Sequence, residues 1–179
     1  MKKTILVLVI VGLIAACAPL EPKTLEHVSF KDLMADKKSF SQSWGSKAFD
    51  DGVVIFISED EDFFAVTYLP VPEVSSDELK EEMYMMVKSS NEGLTIGDLV
   101  TVVGRIDDAS GKNESGERIT VYYLDTSSPR DVYITGHIDT TDPDFEKLVE
   151  IINREETRQF LTWIIVWYII IYPTFFGSD

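Results

Sequence analysis

Cysteine is almost absent from this chain, and its scarcity excludes several kinds of protein. Cys17 is the single cysteine among 179 residues. No intrachain disulfide, no pair of redox-active thiols and no zinc site made of several cysteines can therefore form. The stability and the chemistry of this protein must come from other residues.

Basic residues are scarce as well. The chain has 16 Lys and Arg residues against 31 Asp and Glu residues, a formal net charge of -15. Residues 1–16 contain two lysines and no acid, so removing their charge of +2 leaves -17. Such a surface repels phosphate backbones, and Lys37 and Lys38 are the only basic pair after residue 16. We therefore expect no nucleic-acid partner.

The sequence also lacks common motifs of catalysis. It has no Gly-x-Ser-x-Gly motif and no glycine-rich phosphate-binding loop. Its two histidines are His27, which lies in a segment without periodicity, and His137, which lies close to Asp139 and other acids. We predict that the protein is not an enzyme and uses no cofactor. The alternative is an envelope enzyme that uses His137 and nearby acids.

Acidic residues cluster in two places where a hard cation could bind. One cluster is 59–62, and the other consists of Asp139, Asp142 and Asp144. Neither has the spacing and central glycine of a calcium-binding loop. We interpret the first as a solvated turn and the second as the acid-rich start of a helix, and we predict no metal site.

The longest apolar segment stands near the end of the chain. Residues 160–176 contain no charged side chain, and as a helix rising ~1.5 Å per residue they span about 25 Å. Trp163 and Trp167 add rings that prefer the membrane interface. We predict a transmembrane helix at 160–176 and an amphipathic helix at 142–159 that continues into it without interruption.

The beginning of the chain has the layout of a signal peptide, with two lysines, an apolar run from Ile5 to Leu13 and small residues before Cys17. The segment Ile14-Ala15-Ala16-Cys17 resembles the lipobox of prokaryotic lipoproteins. This resemblance implies cleavage before Cys17 and a diacylglyceryl group on its sulfur. The alternatives are an uncleaved anchor helix or an ordinary signal peptide whose cysteine is incidental.

The leader also predicts the orientation of the protein. Its lysines stay in the cytoplasm, which places the domain outside the cell membrane, anchored by a lipid and by a single-pass helix. Arg154 and Arg158 before the last helix would by themselves favour the opposite orientation. The leader outweighs them because first segments usually set topology. We expect membrane lipid as one partner and a membrane protein that contacts the C-terminal helix as another.

Between these ends we predict a tether at 18–28 and one domain at 29–141. A helix starts at the Ser29 cap, and strands are predicted at 52–57, 63–69, 97–106 and 118–124. A further, poorly defined strand is expected within 39–51. Residues 131–135 are expected to add another strand or to extend the one at 118–124. Residues 75–91 have Leu79, Met83, Met86 and Val87 at helical spacing, which predicts a helix.

The run from Ile96 to Ile106, Ile-Gly-Asp-Leu-Val-Thr-Val-Val-Gly-Arg-Ile, is similar to a G-D-x-V-x-V-x-G-x-V pattern of oligonucleotide/oligosaccharide-binding (OB) folds. Together with the element order, it resembles that family. The resemblance implies a mainly β fold with helices, a five-stranded β-barrel with a helix between strands 3 and 4. The alternative is another small α+β sheet domain.

Four aromatic residues on the predicted strands are a possible ligand surface: Phe63, Tyr68, Tyr122 and Tyr123. Rings at such positions more often pack in a core. We predict a binding or scaffold module of unknown ligand within an envelope complex. A nucleic-acid-binding OB domain is the further alternative, which the missing basic groove disfavours.

Overall fold

The computed structural model describes residues 22–58, 62–73, 80–90, 92–112, 118–126, 129–154 and 157. The predicted signal peptide, Cys17 and the predicted transmembrane helix at 160–176 lie outside these residues. Within the described ranges, no helix has the length and apolar character that crossing a bilayer requires.

The described residues form seven strands and three α-helices. The strands are β1 (His27–Ser29), β2 (Lys47–Ile57), β3 (Phe63–Tyr68), β4 (Met85–Lys88), β5 (Asp98–Lys112), β6 (Arg118–Asp125) and β7 (Val132–His137). The helices are α1 (Phe30–Ala35), α2 (Lys37–Ser41) and α3 (Pro143–Asn153), with 3-10 turns at Pro22–Thr24, Glu81–Met83 and Pro129–Asp131. The protein is therefore mainly β, as the sequence predicts.

All seven strands belong to one mixed sheet in the order β1-β2-β3-β4-β6-β5-β7. β2 pairs with β3 and also with β5, so the pairings of β2, β3, β4, β6 and β5 close into a ring. β1 pairs with β2, and β4 with β6, in parallel; the other pairs are antiparallel. β1 and β7 lie outside the ring, each paired to one of its strands.

Alternating side chains of the strands fill two apolar clusters. Along β3, Phe64 and Val66 enter one cluster while Phe63 and Ala65 enter the other, because successive residues of a strand point to opposite faces. The α1-side cluster comprises Phe30, Leu33, Met34, Phe49, Val54, Phe64, Val66, Met85, Val87, Val100, Val102, Ile106 and Leu124. The α3-side cluster comprises Val53, Ile55, Phe56, Phe63, Ala65, Met83, Tyr84, Met86, Ala109, Tyr123, Phe145, Leu148, Ile151 and Ile152.

The caps of α1 and α3 confirm the helix starts predicted from the sequence. Ser29 accepts a hydrogen bond from the Asp32 backbone N–H at 3.1 Å. Asp142 accepts from the N–H groups of Asp144 and Phe145, and Pro143 occupies the first turn. The predicted strand near 131–135 is also confirmed, as β7.

The predicted helix over 75–91 is wrong where the structure describes it. Met85–Lys88 form β4, paired with β3 and with β6, and Glu81–Met83 form a 3-10 turn. Short apolar runs fit either period, and here pairing on both sides selects the strand. The described residues between β4 and β5 therefore contain no helix. The strand expected within 39–51 is not a separate one, because Lys47–Ile57 form the single strand β2.

Three other boundaries differ from prediction. β5 and β6 pair as far as Lys112 and Arg118, where the sequence suggests a loop from Asp107 onward. His27 lies in β1 and not in a tether. The predicted unbroken C-terminal helix is wrong at Arg154, which caps α3 with ψ at 138°, an extended conformation that ends the helical ladder.

Candidate functional site

Among the described residues, a histidine and a buried aspartate lie within hydrogen-bonding distance where β5 begins and β7 ends. His137 and Asp98 are opposite each other in the β5–β7 register. The His137 Nδ1 lies 3.0 Å from the Asp98 Oδ1. The Asp98 Oδ2 accepts a hydrogen bond from the Thr95 backbone N–H at 2.7 Å. Asp98 is 7% exposed, so a buried carboxylate orients a half-exposed imidazole.

Gly97 makes room for this pair. Its φ of +95° is a left-handed conformation that favours glycine. A Cβ at this position would lie 2.7 Å from the Thr140 Cγ2 and 2.9 Å from the His137 Cε1. The Gly97 backbone is held on both sides, since its N–H donates to the Val54 carbonyl at 2.8 Å and its carbonyl accepts from the Ile138 N–H at 2.9 Å. The histidine ring therefore packs on a fixed backbone.

Two opposing effects set the pKa of Asp98. Burial by itself would raise the pKa of this carboxyl, because it disfavours the charged form. Hydrogen bonds from His137 and Thr95 outweigh burial and hold the pKa below its ordinary value. Asp98 is therefore a carboxylate at neutral pH, suited to accept the Nδ1–H of His137 and to leave Nε2 as a possible proton acceptor. Such a base completes no reaction by itself, since water or a substrate group must supply the nucleophile.

The acid that contacts His137 is Asp98 and not its sequence neighbour Asp139. Asp139 instead accepts hydrogen bonds from the Thr141 N–H at 3.0 Å and from the Thr141 hydroxyl at 2.7 Å. These bonds lower the pKa of Asp139. Asp98 was missed because it is 39 positions from His137 along the chain. The one local signal was Gly-Asp at the start of a strongly apolar strand.

The second histidine belongs to a network that joins three strands. The His27 Nδ1 lies 2.6 Å from the Asp50 Oδ2, and the Thr101 hydroxyl donates to the Asp50 Oδ1 at 2.7 Å. The hydrogen bond and the charge of Asp50 raise the pKa of His27. Asp50 lies at a bulge where the β2–β5 register shifts, beside Asp51 with a φ of 61°. We interpret this network as structural: it links β1 and β5 to the bulge of β2.

The four rings of the predicted ligand surface divide between the two clusters. Phe63 and Tyr123 are 2% and 6% exposed in the α3-side cluster. Tyr68 and Tyr122 are partly buried against the α1-side cluster. Burial, with the nearby charge of Asp107, raises the pKa of Tyr123. The structure therefore does not bring the four rings together on one face.

The acidic clusters have structural partners where they are described. Asp142 caps α3, and Asp139 bonds to Thr141. Residues 59–61 lie outside the described ranges. Among the residues that the structure places, no group of three or more metal-ligating side chains could hold a metal ion.

One surface feature was not predicted from the sequence. Trp44 is 99% exposed in the loop between α2 and β2. Gly45 follows it with a φ of +94°, and a Cβ there would meet no atom within 4 Å. Large aromatic side chains carry the most apolar area and are usually buried. The only sequence signal was a tryptophan among serines and glycine in a weakly patterned segment.

No protein-family model matches the chain, and a search of curated proteins finds no match to it.

Proposed function

We propose that this chain is an extracytoplasmic, membrane-anchored binding or scaffold module built on an OB-like barrel. The observation that carries the proposal is the ring of strand pairings. Numbered along the ring strands from β2, the pairings run 1-2-3-5-4-1, with strands 3 and 5 parallel. This connectivity supports the proposal of a five-stranded Greek-key barrel of the OB type.

A helix still fills one opening of this proposed barrel, although it precedes the first strand of the ring. Phe30, Leu33 and Met34 of α1 are buried in the α1-side cluster with side chains from all five ring strands. The Phe30 ring lies so close to Gly52 that a Cβ there would be 2.6 Å from it. The helix that packs into this cluster is therefore α1, whereas the resemblance implies a helix between strands 3 and 4.

The face that binds oligonucleotides in OB domains carries apolar residues that cluster with a helix in this protein, which disfavours an oligonucleotide ligand. In such folds the face of strands 2 and 3, here β3 and β4, receives the ligand. One side of these strands carries Phe63, Ala65 and Met86, which cluster with Leu148 and Ile152 of α3. With α3 in place and a charge of -17 after the leader, a partner protein fits the proposal better than a nucleic acid.

The membrane anchorage depends on the leader and on residues 160–176. We expect Cys17 to be lipidated, so cells fed an alkyne-tagged fatty acid incorporate the tag into the wild-type chain and not into Cys17→Ala. The full chain stays in the membrane pellet after carbonate washing. A chain that carries no tag, or that carbonate releases, contradicts the anchored part of the proposal.

The scaffold role is tested by affinity purification of the tagged chain from detergent-solubilised membranes. A matched control replaces residues 160–176 by an apolar helix of the same length without aromatic residues. Partners that contact the C-terminal helix are lost from this control, whereas partners of the domain remain. Recovery of the bait alone from both chains contradicts a stable complex.

A second candidate function is an enzyme of the envelope, and the His137–Asp98 pair is the observation that favours it. A histidine oriented by a buried carboxylate is one part of many hydrolytic sites. Chromogenic esters, phosphates and glycosides can be screened with wild type and His137→Gln. Turnover that disappears in the variant supports the enzyme, and equal rates for both chains contradict it.

A further inference from the structure

The loop around Trp44 lies at the end of the sheet where the chain enters the fold. β1 and β2 are parallel, with His27 opposite Ala48, so both strands start at the same end. The Ala48 N–H donates to the Glu26 carbonyl at 3.0 Å, and the Lys47 amine pairs with the Glu26 carboxylate. Trp44 is three residues before Lys47, beside the segment that leads back toward Cys17.

The exposure of Trp44 is supported by the structure around it. The Ser43 hydroxyl and N–H both donate to the Phe40 carbonyl, at 2.7 and 3.1 Å. The Phe40 ring packs edge-on against Phe49, with centroids 6.3 Å apart. These contacts fasten the start of the loop to the core and leave the indole in solvent.

The charge of this segment differs from that of the rest of the protein. From Lys37 to Phe49 there are three lysines and no acid, in a chain whose net charge is -15. Lys38 is exposed on α2, while the Lys37 amine donates to the Tyr84 carbonyl at 3.0 Å. The Lys47 amine pairs with the Glu26 carboxylate, so Lys38 is the exposed cation of this segment. A tryptophan near an exposed lysine suits the headgroup region of a bilayer, where indole rings concentrate and anionic lipids attract cations.

We propose that the Trp44 loop inserts into the headgroup region of the membrane and sets the orientation of the domain on it. The inference rests on the proposed anchorage. Cys17 is five residues before Pro22, where the described fold begins, so a lipid on its sulfur lies within about 17 Å of the fold. The lipid brings the sheet end to the bilayer, and the indole gives it a second contact there.

The test uses the full chain in vesicles of phosphatidylcholine with phosphatidylglycerol. Trp163→Phe and Trp167→Phe leave Trp44 as the only tryptophan. Phosphatidylcholine brominated in the upper acyl chain quenches tryptophans at the interface. We expect brominated vesicles to lower the Trp44 emission by roughly half. We also expect the emission maximum of Trp44 in vesicles to lie to the blue of its maximum for the chain in urea without detergent.

The matched control moves the tryptophan to another exposed apolar position. Ile134→Trp, in a chain whose Trp44, Trp163 and Trp167 are all replaced by Phe, places the single tryptophan on β7, where Ile134 is 54% exposed. Ile134 pairs with Val100, whereas Lys47 pairs with Gly104, four residues further along β5. The two indoles are thus separated by about 13 Å or more along the strands, and we expect little quenching of the control.

Each outcome decides the matter. Quenching of Trp44 without quenching at position 134 supports the insertion. If the chain sediments with the vesicles but Trp44 keeps its emission, the insertion is overturned and the anchorage stands. Equal quenching at both positions overturns the proposed orientation. If the chain fails to sediment with vesicles, the insertion and the anchorage are both overturned.

Discussion

At the scale of single residues, the Asp98 carboxylate is buried and has hydrogen-bonded partners on two sides. Asp98→Asn removes an acceptor that is buried and shared by His137 and the Thr95 N–H. We expect the free energy of unfolding at pH 7 to fall by about 1–3 kcal/mol. Urea unfolding of the full chain in mild detergent, followed by circular dichroism, measures this loss.

The pH dependence of this loss has a definite sign. Because the folded pKa of Asp98 is lower than the unfolded value, its ionisation stabilises the fold above the ordinary pKa of an aspartate, 3.8. The contribution disappears as the pH falls through the folded value. Wild type and Asp98→Asn should therefore converge in stability below pH 3.8. A difference that persists unchanged into acid contradicts the role of the carboxylate.

Gly97 offers a second residue-scale prediction with an internal control. Gly97 and Gly93 have φ values of +95° and +81°, but a Cβ meets neighbouring atoms only at Gly97. Gly93→Ala should cost about 1–2 kcal/mol from the backbone alone. Gly97→Ala should cost at least about 1 kcal/mol more, because the His137 ring must move away from Asp98. Equal midpoints of thermal unfolding for the two variants would show that the packing of His137 on Gly97 is unimportant.

At the scale of elements, α3 is the helix that contacts β2 and contributes to the α3-side cluster. Leu148 is fully buried in the α3-side cluster, so Leu148→Ala should cost about 2–5 kcal/mol. Glu146→Ala, on the exposed face of the same helix, should change stability by less than about 0.5 kcal/mol. Leu148→Ala reports the loss of a buried side chain, whereas Glu146→Ala reports the effect of alanine at an exposed position of the same helix. Similar urea midpoints for the two variants would mean that α3 packs only weakly on the sheet.

The elements also show which local signals were informative. Caps at Ser29 and Asp142 and apolar runs at 52–57 and 63–68 predicted their elements because hydrogen bonds and burial there involve near neighbours along the chain. The segment Met85–Lys88 was misassigned because Met86 and Val87 fit a helical spacing with Met83 but fit the two opposite faces of a strand equally well. Pairing with residues of β3 and β6 that are 19 to 37 positions away decided between helix and strand.

At the scale of the whole molecule, the net charge of -15 acts on stability. Like charges repel more strongly in the compact state than in the unfolded chain. The Debye length falls from about 30 Å at 0.01 M salt to about 10 Å at 0.1 M. We expect the thermal midpoint to rise between these concentrations of sodium chloride, as scanning calorimetry can measure. A midpoint that falls with salt would mean that attractive ion pairs such as Glu26 with Lys47 dominate the electrostatics.

The sequence by itself determined the properties that depend on composition and local order. They are the absence of disulfides, the acidity, the mainly β character, the helix caps and most strand positions. Tertiary structure decided which strands meet and which side chains share a site. It placed Asp98 beside His137, divided Phe63 and Tyr123 from Tyr68 and Tyr122, and left Trp44 in solvent. The reason is that pairing and burial join residues tens of positions apart, whereas sequence periodicity reports only on neighbours within a turn or a strand.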